Sequence, residues 1–388
     1  MAGRNHLFVP GPTNTPHEIL SAMHVPMEDH RSPIFPNLLN PILADLKKVF
    51  RTETGQCFVF PATGTAGWEV AMTNCLNQGD KVLIYRFGQF GHLWAEAARK
   101  LGFDVEIHQV EWGKGIPLDH LEARLKDDKN HEIKAVLATH NETSTGVTSD
   151  IPGVRKAMDA AAHPALLFVD GVSSIASIEF KMDEWGVDGA ISGSQKGFML
   201  PAGLAILGFS QKALTAVETS NFPRSFFSLK DMAASNNDGY TPYTPSTPML
   251  HGLRKALEIL LDEGMENVYA RHHRLGEGVR RAVAAWGLNI CAQPGFESDT
   301  VTAVVVPSDK DARHVIGTAY NKYQISLGGG LSEVAGKVFR IGHIGDMNDV
   351  SLLGAIAGVE MALLDNGFDI KAGSGVGAAL EYYRSTAN

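Results

Sequence analysis

The chain has 388 residues, 44% of them hydrophobic, with a formal net charge of −9 at pH 7. That length allows a large core and a smaller second domain, and the acidic balance speaks against a nucleic-acid surface, which needs clustered Lys and Arg. The three cysteines, Cys57, Cys75 and Cys291, are widely spaced without a CxxC pair, which argues against a disulfide framework and a structural zinc site.

Residues 1–16 read as a short extended arm. Its start, MAGRNHLFVPGP, lacks the basic stretch and apolar core of a signal peptide. No apolar run approaches the roughly 20 residues of a membrane span, and the YRSTAN end carries no peroxisomal tripeptide. A cytoplasmic protein without membrane partners is the expectation.

Thr15-Pro16-His17-Glu18 has the form of a helix start, with Thr15 as the cap, Pro16 in the first turn and Glu18 reaching back to the cap amide. The runs CFVFP, KVLIY, DVEIHQV, KAVLATH, ALLFVD, DGAIS and LAILGFS then follow, separated mostly by helical stretches such as WEVAMTNCL and LWAEAARKL. Short apolar runs joined by helices predict parallel βαβ units with both sheet faces covered. The last two runs flank a lysine and can instead pair antiparallel. Aromatics, prolines and an Asn-Asn-Asp-Gly turn interrupt this rhythm over 216–248. Beyond a long helical pattern from about 249 comes a smaller α+β section, with strands at TAVVVP and KVFRIGH and helices around 310–323 and 349–365. The reading is an α/β chain with an arm at 1–16, a large domain at 17–262 built on a mostly parallel central sheet, and a smaller C-terminal α+β domain at 263–388.

Two residues suggest the chemistry. Asp170 ends the strand-like LLFVD, where open parallel sheets bind ligands. Lys196 lies 26 positions later in GSQKGFMLP, among small and amide side chains. Separately they read as a turn or cap aspartate and a loop lysine. Together they suit pyridoxal phosphate, which needs a lysine amine for its Schiff base and a carboxylate to keep its pyridine nitrogen protonated. The strand–turn–helix FPATGTAGWEV offers helix-start amides and the Thr63 and Thr65 hydroxyls for the phosphate, although TGTAG alone is a weak motif. Phe90 reads either as a partner for the ring face or as a core phenylalanine. Thr143 in HNETSTG ends a strand where its hydroxyl can reach the cofactor's phenolic oxygen. His272 and His273, being adjacent, point to different sides of a helix, so no metal site is expected there.

The segments FVPGPTN, EDHRSP, FPATGTAGWE, GQFGHLW, HNETSTGV, LLFVDGVSS, DEWGVD, GSQKGFMLPAGL, PYTP and VAGKVFRIGHIGD, in this order, resemble fold-type I, class V aminotransferases of the alanine/serine–glyoxylate group. FVPGPTN and VAGKVFRIGH look most like the serine–glyoxylate branch. The resemblance implies that Lys196 carries the cofactor, Asp170 pairs with the pyridine nitrogen and Phe90 stacks on the ring. It also implies that Thr63, Gly64, Thr65 and Gln195 surround the phosphate, while Thr143 and Val172 flank the ring. Tyr243 and Thr244 would reach the phosphate of a neighbouring subunit, making a homodimer. Arg340 would clamp the substrate α-carboxylate, a task suited to a planar fork, and the PGPTN arm would pass near the partner's site with Asn14 close to substrate. The implied reaction is ping-pong transfer from a small L-amino acid to glyoxylate, giving glycine, with Lys196 moving the proton as general base and acid.

One segment departs from the branch. Where serine-using members tend to carry an acidic stretch before PYTP, this chain has PRSFFSLKD, with Ser228 in place of the acid and Arg224 and Lys230 adding positive charge. A dicarboxylate donor needs such a cation, because burying an unpaired carboxylate is costly. The alternative is that both are solvated loop charges; His30 and Arg31 pose the same choice. Serine, the usual donor of the branch the chain resembles, is the first donor expected, with aspartate close behind and alanine a more distant third. A cysteine desulfurase is disfavoured by the apolar setting of Cys291, and a dinucleotide dehydrogenase by the missing glycine fingerprint. A noncatalytic pyridoxal phosphate scaffold leaves Lys196, Asp170 and Arg340 without a joint purpose.

Overall fold

A computed structural model describes residues 5–387. The first four residues of the arm, where the start of the signal-peptide reading falls, and Asn388 lie outside the described residues. In chain order the strands are β1 (His6–Phe8), β2 (Gln56–Phe60), β3 (Lys81–Arg86), β4 (Asp104–Gln109), β5 (Ile133–Thr139), β6 (Asn141–Glu142), β7 (Val147–Thr148), β8 (Leu166–Asp170), β9 (Gly189–Gly193), β10 (Ala205–Phe209), β11 (Asn289–Ile290), β12 (Val301–Val305), β13 (Ile325–Gly329) and β14 (Val338–Gly342). The first four helices are α1 (His17–Met23), α2 (Pro36–Phe50), α3 (Gly64–Cys75) and α4 (Gln89–Lys100).

A seven-stranded sheet runs in the order β2-β10-β9-β8-β5-β3-β4. Strands β4, β3, β5, β8 and β9 are parallel, and β10 is antiparallel to both β9 and β2. The β9–β10 hairpin therefore follows the antiparallel alternative, and its connection carries Lys196. Along β8, Leu167 and Val169 enter one core cluster, while Leu166 and Phe168 enter the other. Burial on both faces is why the strand is continuously apolar rather than alternating. Phe198, Met199 and Leu200 after the lysine are buried in the first of these clusters or beside it, which anchors the connection.

The C-terminal sheet has five strands in the order β1-β13-β14-β12-β11. Its first strand comes from the arm: His6–Phe8 pairs parallel with Ile325–Leu327, and Phe8 is buried with the helices Ala312–Tyr323 and Asp349–Asp365. The arm is thus a strand of this sheet over part of its length. Both helices fall where the apolar spacing predicts them.

Two local expectations are corrected. Helix α1 begins at His17 with Pro16 at the cap position and no side-chain cap bond, so neither Thr15 nor Glu18 closes that end. Within the interrupted stretch, Leu229–Asn237 forms a helix whose cap is Ser228, its hydroxyl accepting from Asp231 N at 3.2 Å. Among the described residues no helix is long and apolar enough to cross a membrane.

Candidate active site

The carboxyl ends of β8 and β9, the start of α3 and the arm enclose a cavity of about 360 Å³. Its lining includes Thr63, Gly64, Thr65, Phe90, Thr143, Asp170, Val172, Gln195 and Lys196, all expected from sequence. The β8–β9 register, with Asp170 opposite Ile191, brings the acid and the lysine-bearing turn to one sheet end. Ser194 closes that turn: its hydroxyl donates to Pro201 O at 2.7 Å and accepts from Leu204 N at 3.1 Å.

Lys196 is buried, and its amine donates to Pro10 O of the arm. Burial, reinforced by the Arg340 charge and opposed by Asp170 and Glu142, brings its pKa down to about 8. A lysine so shifted has a nucleophilic amine available near neutral pH. Thr13 pins the arm across the turn, N–H to Gln195 O at 3.1 Å and hydroxyl to Lys196 O at 3.3 Å. Gly11, at φ 118°, is required there, since a Cβ would lie 2.6 Å from the lysine Nζ.

Asp170 has its pKa raised to about 7, chiefly by burial. Val172 N donates to its Oδ1 at 2.9 Å, which favours the anion, and the Glu142 charge opposes it. Trp68 Nε1 lies nearby without a bond of normal geometry. This buried carboxyl lacks a directly bonded cation among its described contacts, and a protonated pyridine nitrogen would supply one.

Phe90 stands in the first turn of α4 and lines the cavity, with its own N–H donating to Glu142 at 2.9 Å. Arg340, from β14, is buried beside the cavity rather than in its lining. Its Nε donates to Gly329 O at 2.9 Å and its Nη1 to Thr143 O at 3.0 Å. Burial lowers its pKa to about 10, with Glu142 the acid that supports the charge.

Other expected residues lie elsewhere. Asn14 is outside the cavity lining, and its amide bonds Leu7 in both directions, at 2.9 and 3.3 Å. The arm crosses the lysine-bearing turn of its own chain, and Asn14 lies just beyond the crossing. Tyr243 is half-buried, stacked 4.7 Å from Phe226 and donating to Ser225 O, while Thr244 is exposed. Arg224 ties its loop to the end of α3, donating to Thr73 O, Ser220 Oγ, Phe222 O and Val217 O. Lys230 pairs with Glu218 on the surface at 2.8 Å. Neither cation faces the cavity of its own chain, nor do His30 and Arg31 line it.

Trp68, Asn141, Ser173 and Ala202 also line the cavity. Trp68 had a legible signal, since it follows Gly64 by one helical turn and shares its face. The Asn141 amide donates to Ser173 Oγ at 2.8 Å and Thr300 Oγ1 at 2.9 Å. Cys291 is absent from the lining, and among the described residues no cluster of three or more His, Cys, Asp or Glu could hold a metal ion.

The residues present fit pyridoxal phosphate. Besides Lys196 and the cation-lacking Asp170, the start of α3 has no side-chain cap, leaving its amides for an anion. Gln195 lines the same cavity with its Oε1 buried and unpartnered, and the amide can turn its NH₂ toward a phosphate.

The aminotransferase class-V family profile matches residues 6–342. A serine–glyoxylate aminotransferase of Methylorubrum extorquens is 58% identical, over 98% of this chain and 96% of that protein. An L-aspartate–glyoxylate aminotransferase of Paracoccus denitrificans is 54% identical, over 100% and 98%. The crystal structure of a ureidoglycine–glyoxylate aminotransferase from Bacillus subtilis superposes with a TM-score of 0.91 at 27% identity, covering 99% of each chain. The chain belongs to the class-V aminotransferases, fold-type I enzymes dependent on pyridoxal phosphate.

Proposed function

We propose that this class-V aminotransferase transfers the amino group of L-serine to glyoxylate, forming hydroxypyruvate and glycine by a ping-pong mechanism. The observation that carries the reading is the meeting of Lys196, Asp170 and the uncapped start of α3 in one cavity, with Arg340 beside it. The names of the relatives support the choice of glyoxylate.

Pyridoxal phosphate, when bound, supplies an electron sink beside the donor's Cα. Lys196 is the residue for its covalent attachment, and the freed amine is the general base and acid that moves the Cα proton. Asp170 is suited to hold the proton on the pyridine nitrogen. Thr63, Gly64, Thr65 and Gln195 would hold the phosphate, Phe90, Thr143 and Val172 would bound the ring, and the Arg340 fork would orient the substrate carboxylate. Pro10 O accepts from the lysine amine and Gly11 packs against its side chain, which limits water around the amine.

We further read the active unit as a homodimer in the cytoplasm, with Tyr243 and Thr244 directed to the partner's phosphate site. The half-exposed Phe226–Tyr243 stack supports that reading. The domain division near residue 262 is likewise proposed, on the separate core cluster built around the C-terminal sheet.

Aspartate is the second reading, favoured by the Paracoccus relative. Serine is preferred because the Arg224 guanidinium is engaged by its own loop and Lys230 by Glu218. Holoenzyme mixed with glyoxylate and either serine or aspartate decides the matter through glycine, hydroxypyruvate and oxaloacetate. Hydroxypyruvate with serine supports the first reading, and a strong preference for aspartate replaces it with the second. Glycine from neither donor would refute both.

A further inference from the structure

Glu142 is a fully buried carboxylate beside the cavity that no step above uses. Four donors hold it: Phe90 N and Gly91 N reach Oε2 at 2.9 and 3.2 Å, and Ser144 N and Oγ reach Oε1 at 3.1 and 2.7 Å. Three of these are backbone amides that can only donate. The carboxylate therefore suits them as an anion, whereas a protonated form could offer its O–H only to Ser144 Oγ. Phe90 N and Gly91 N belong to the first turn of α4, where helix amides lack partners of their own. Glu142 thus caps α4 from another strand, with its charge at the favourable end of the helix dipole.

The same residue controls a second part of the site. Its neighbour Thr143 gives a carbonyl to Arg340 Nη1, and Arg340 is a buried cation bonded to carbonyls. Glu142 supports that charge through space, as the direction of its influence on Arg340 indicates. Fastened by its own donors, it is not free to swing across and occupy the fork that a substrate carboxylate would use.

We propose that Glu142 is a positioning residue: one buried carboxylate ties the ring-facing Phe90 to the turn that holds Arg340, setting the cofactor face and the substrate clamp together. This rests on the cavity being the pyridoxal phosphate site and gives it a shared support.

Three variants test it in the holoenzyme: Glu142→Ala, Glu142→Gln and Gly88→Ala. Gly88 is in extended backbone, so alanine adds no dihedral strain; its Cβ would overlap Glu142 Cγ and Cδ and lie 2.6 Å from Ser144 Oγ. It displaces the carboxylate without removing the charge. Glu142→Ala is expected to release pyridoxal phosphate about tenfold faster, since it leaves buried amides unpaired. It should also weaken the visible circular dichroism of the bound cofactor and raise the KM for serine more than it lowers kcat. Gly88→Ala should shift all three in the same direction. Glu142→Gln keeps one acceptor oxygen and should fall between wild type and Glu142→Ala.

If Glu142→Ala does not fold, the other two variants decide by the same measurements. Lower thermal stability with release, dichroism and KM unchanged would make Glu142 a folding residue only and overturn the proposal. A wild-type protein that takes up no pyridoxal phosphate would instead overturn the cofactor reading, and this inference with it.

Discussion

Acid should loosen the apoprotein well before its surface carboxylates titrate, and three buried histidines give the size of the effect. Burial brings the pKa of His272 and His343 down to about 3 and that of His140 to about 4. For His272 the reason is visible in its bonds: one ring nitrogen meets Val268 O at 2.7 Å and the other accepts from Gly345 N at 3.1 Å, so a second ring proton would face an N–H. Below a pKa of about 6.5 the unfolded chain takes up protons that the folded chain refuses, so stability is lost as pH falls. At pH 5 each histidine costs about 2 kcal/mol, roughly 6 in all. Asp170 works in the opposite sense. With its folded pKa raised to about 7, it takes up a proton in the folded state first and returns about 2.5 kcal/mol between pH 7.5 and 5. Burial raises the Glu142 pKa too, against the pull of its four donors, so it acts in the same direction as Asp170. The three histidines and Asp170 together give a net loss of about 3–4 kcal/mol, a large share of the roughly 5–15 kcal/mol that stabilises a folded domain. Urea unfolding of apoprotein at pH 7.5, 6 and 5, followed by tryptophan fluorescence, measures it. His272→Gln should remove about a third of the histidine contribution. A midpoint that stays level or rises on acidification, or a His272→Gln variant with the wild-type pH slope, would refute the reasoning.

Lys196→Ala should abolish covalent capture of pyridoxal phosphate, seen in the absorbance spectrum, and lower glycine formation at least about 10⁴-fold, since attachment and proton transfer are lost together. Arg340→Lys should raise the KM for serine by about tenfold or more while leaving the bound-cofactor spectrum unchanged, because a point charge replaces a planar fork; an unchanged KM would remove Arg340 from the clamp. Arg224→Met should lower the thermal midpoint without changing the serine-to-aspartate activity ratio, since its guanidinium holds loop carbonyls. Lys230→Ala, breaking an exposed pair, should leave both unchanged. A shift toward serine in either variant would restore the cation argument for a dicarboxylate donor.

Much of the large sheet was legible because its strands carry their burial in their composition. LLFVD is apolar up to the acid that ends it, and the acid falls where the sheet opens to ligand. The loop GSQKGFMLP reads alone as an ordinary loop; its lysine gains meaning beside Asp170, and only the fold shows that Phe198, Met199 and Leu200 anchor it inside. Strand β13, ISLGG, escaped notice because its two glycines dilute the apolar signal, and β1 because a three-residue strand has too little pattern of its own. The Leu229–Asn237 helix lay behind prolines and aromatics, and its cap, Ser228, was read as a lost acid.

Residue types and their order along the chain pointed to the chemistry through a lysine, an acid at a strand end and a small-residue helix start, while the distant Arg340 entered only through the family resemblance. Partnership could not be read that way, because whether a charged group is free or engaged depends on atoms brought from far along the chain. Folding gives Arg224 to loop carbonyls, Asn14 to Leu7 and the lysine amine to Pro10. It gives Glu142 four donors drawn from a helix start and a turn more than fifty residues apart in sequence. Burial then sets the proton affinities of Lys196 and Asp170, a property of their surroundings that no local stretch of sequence contains.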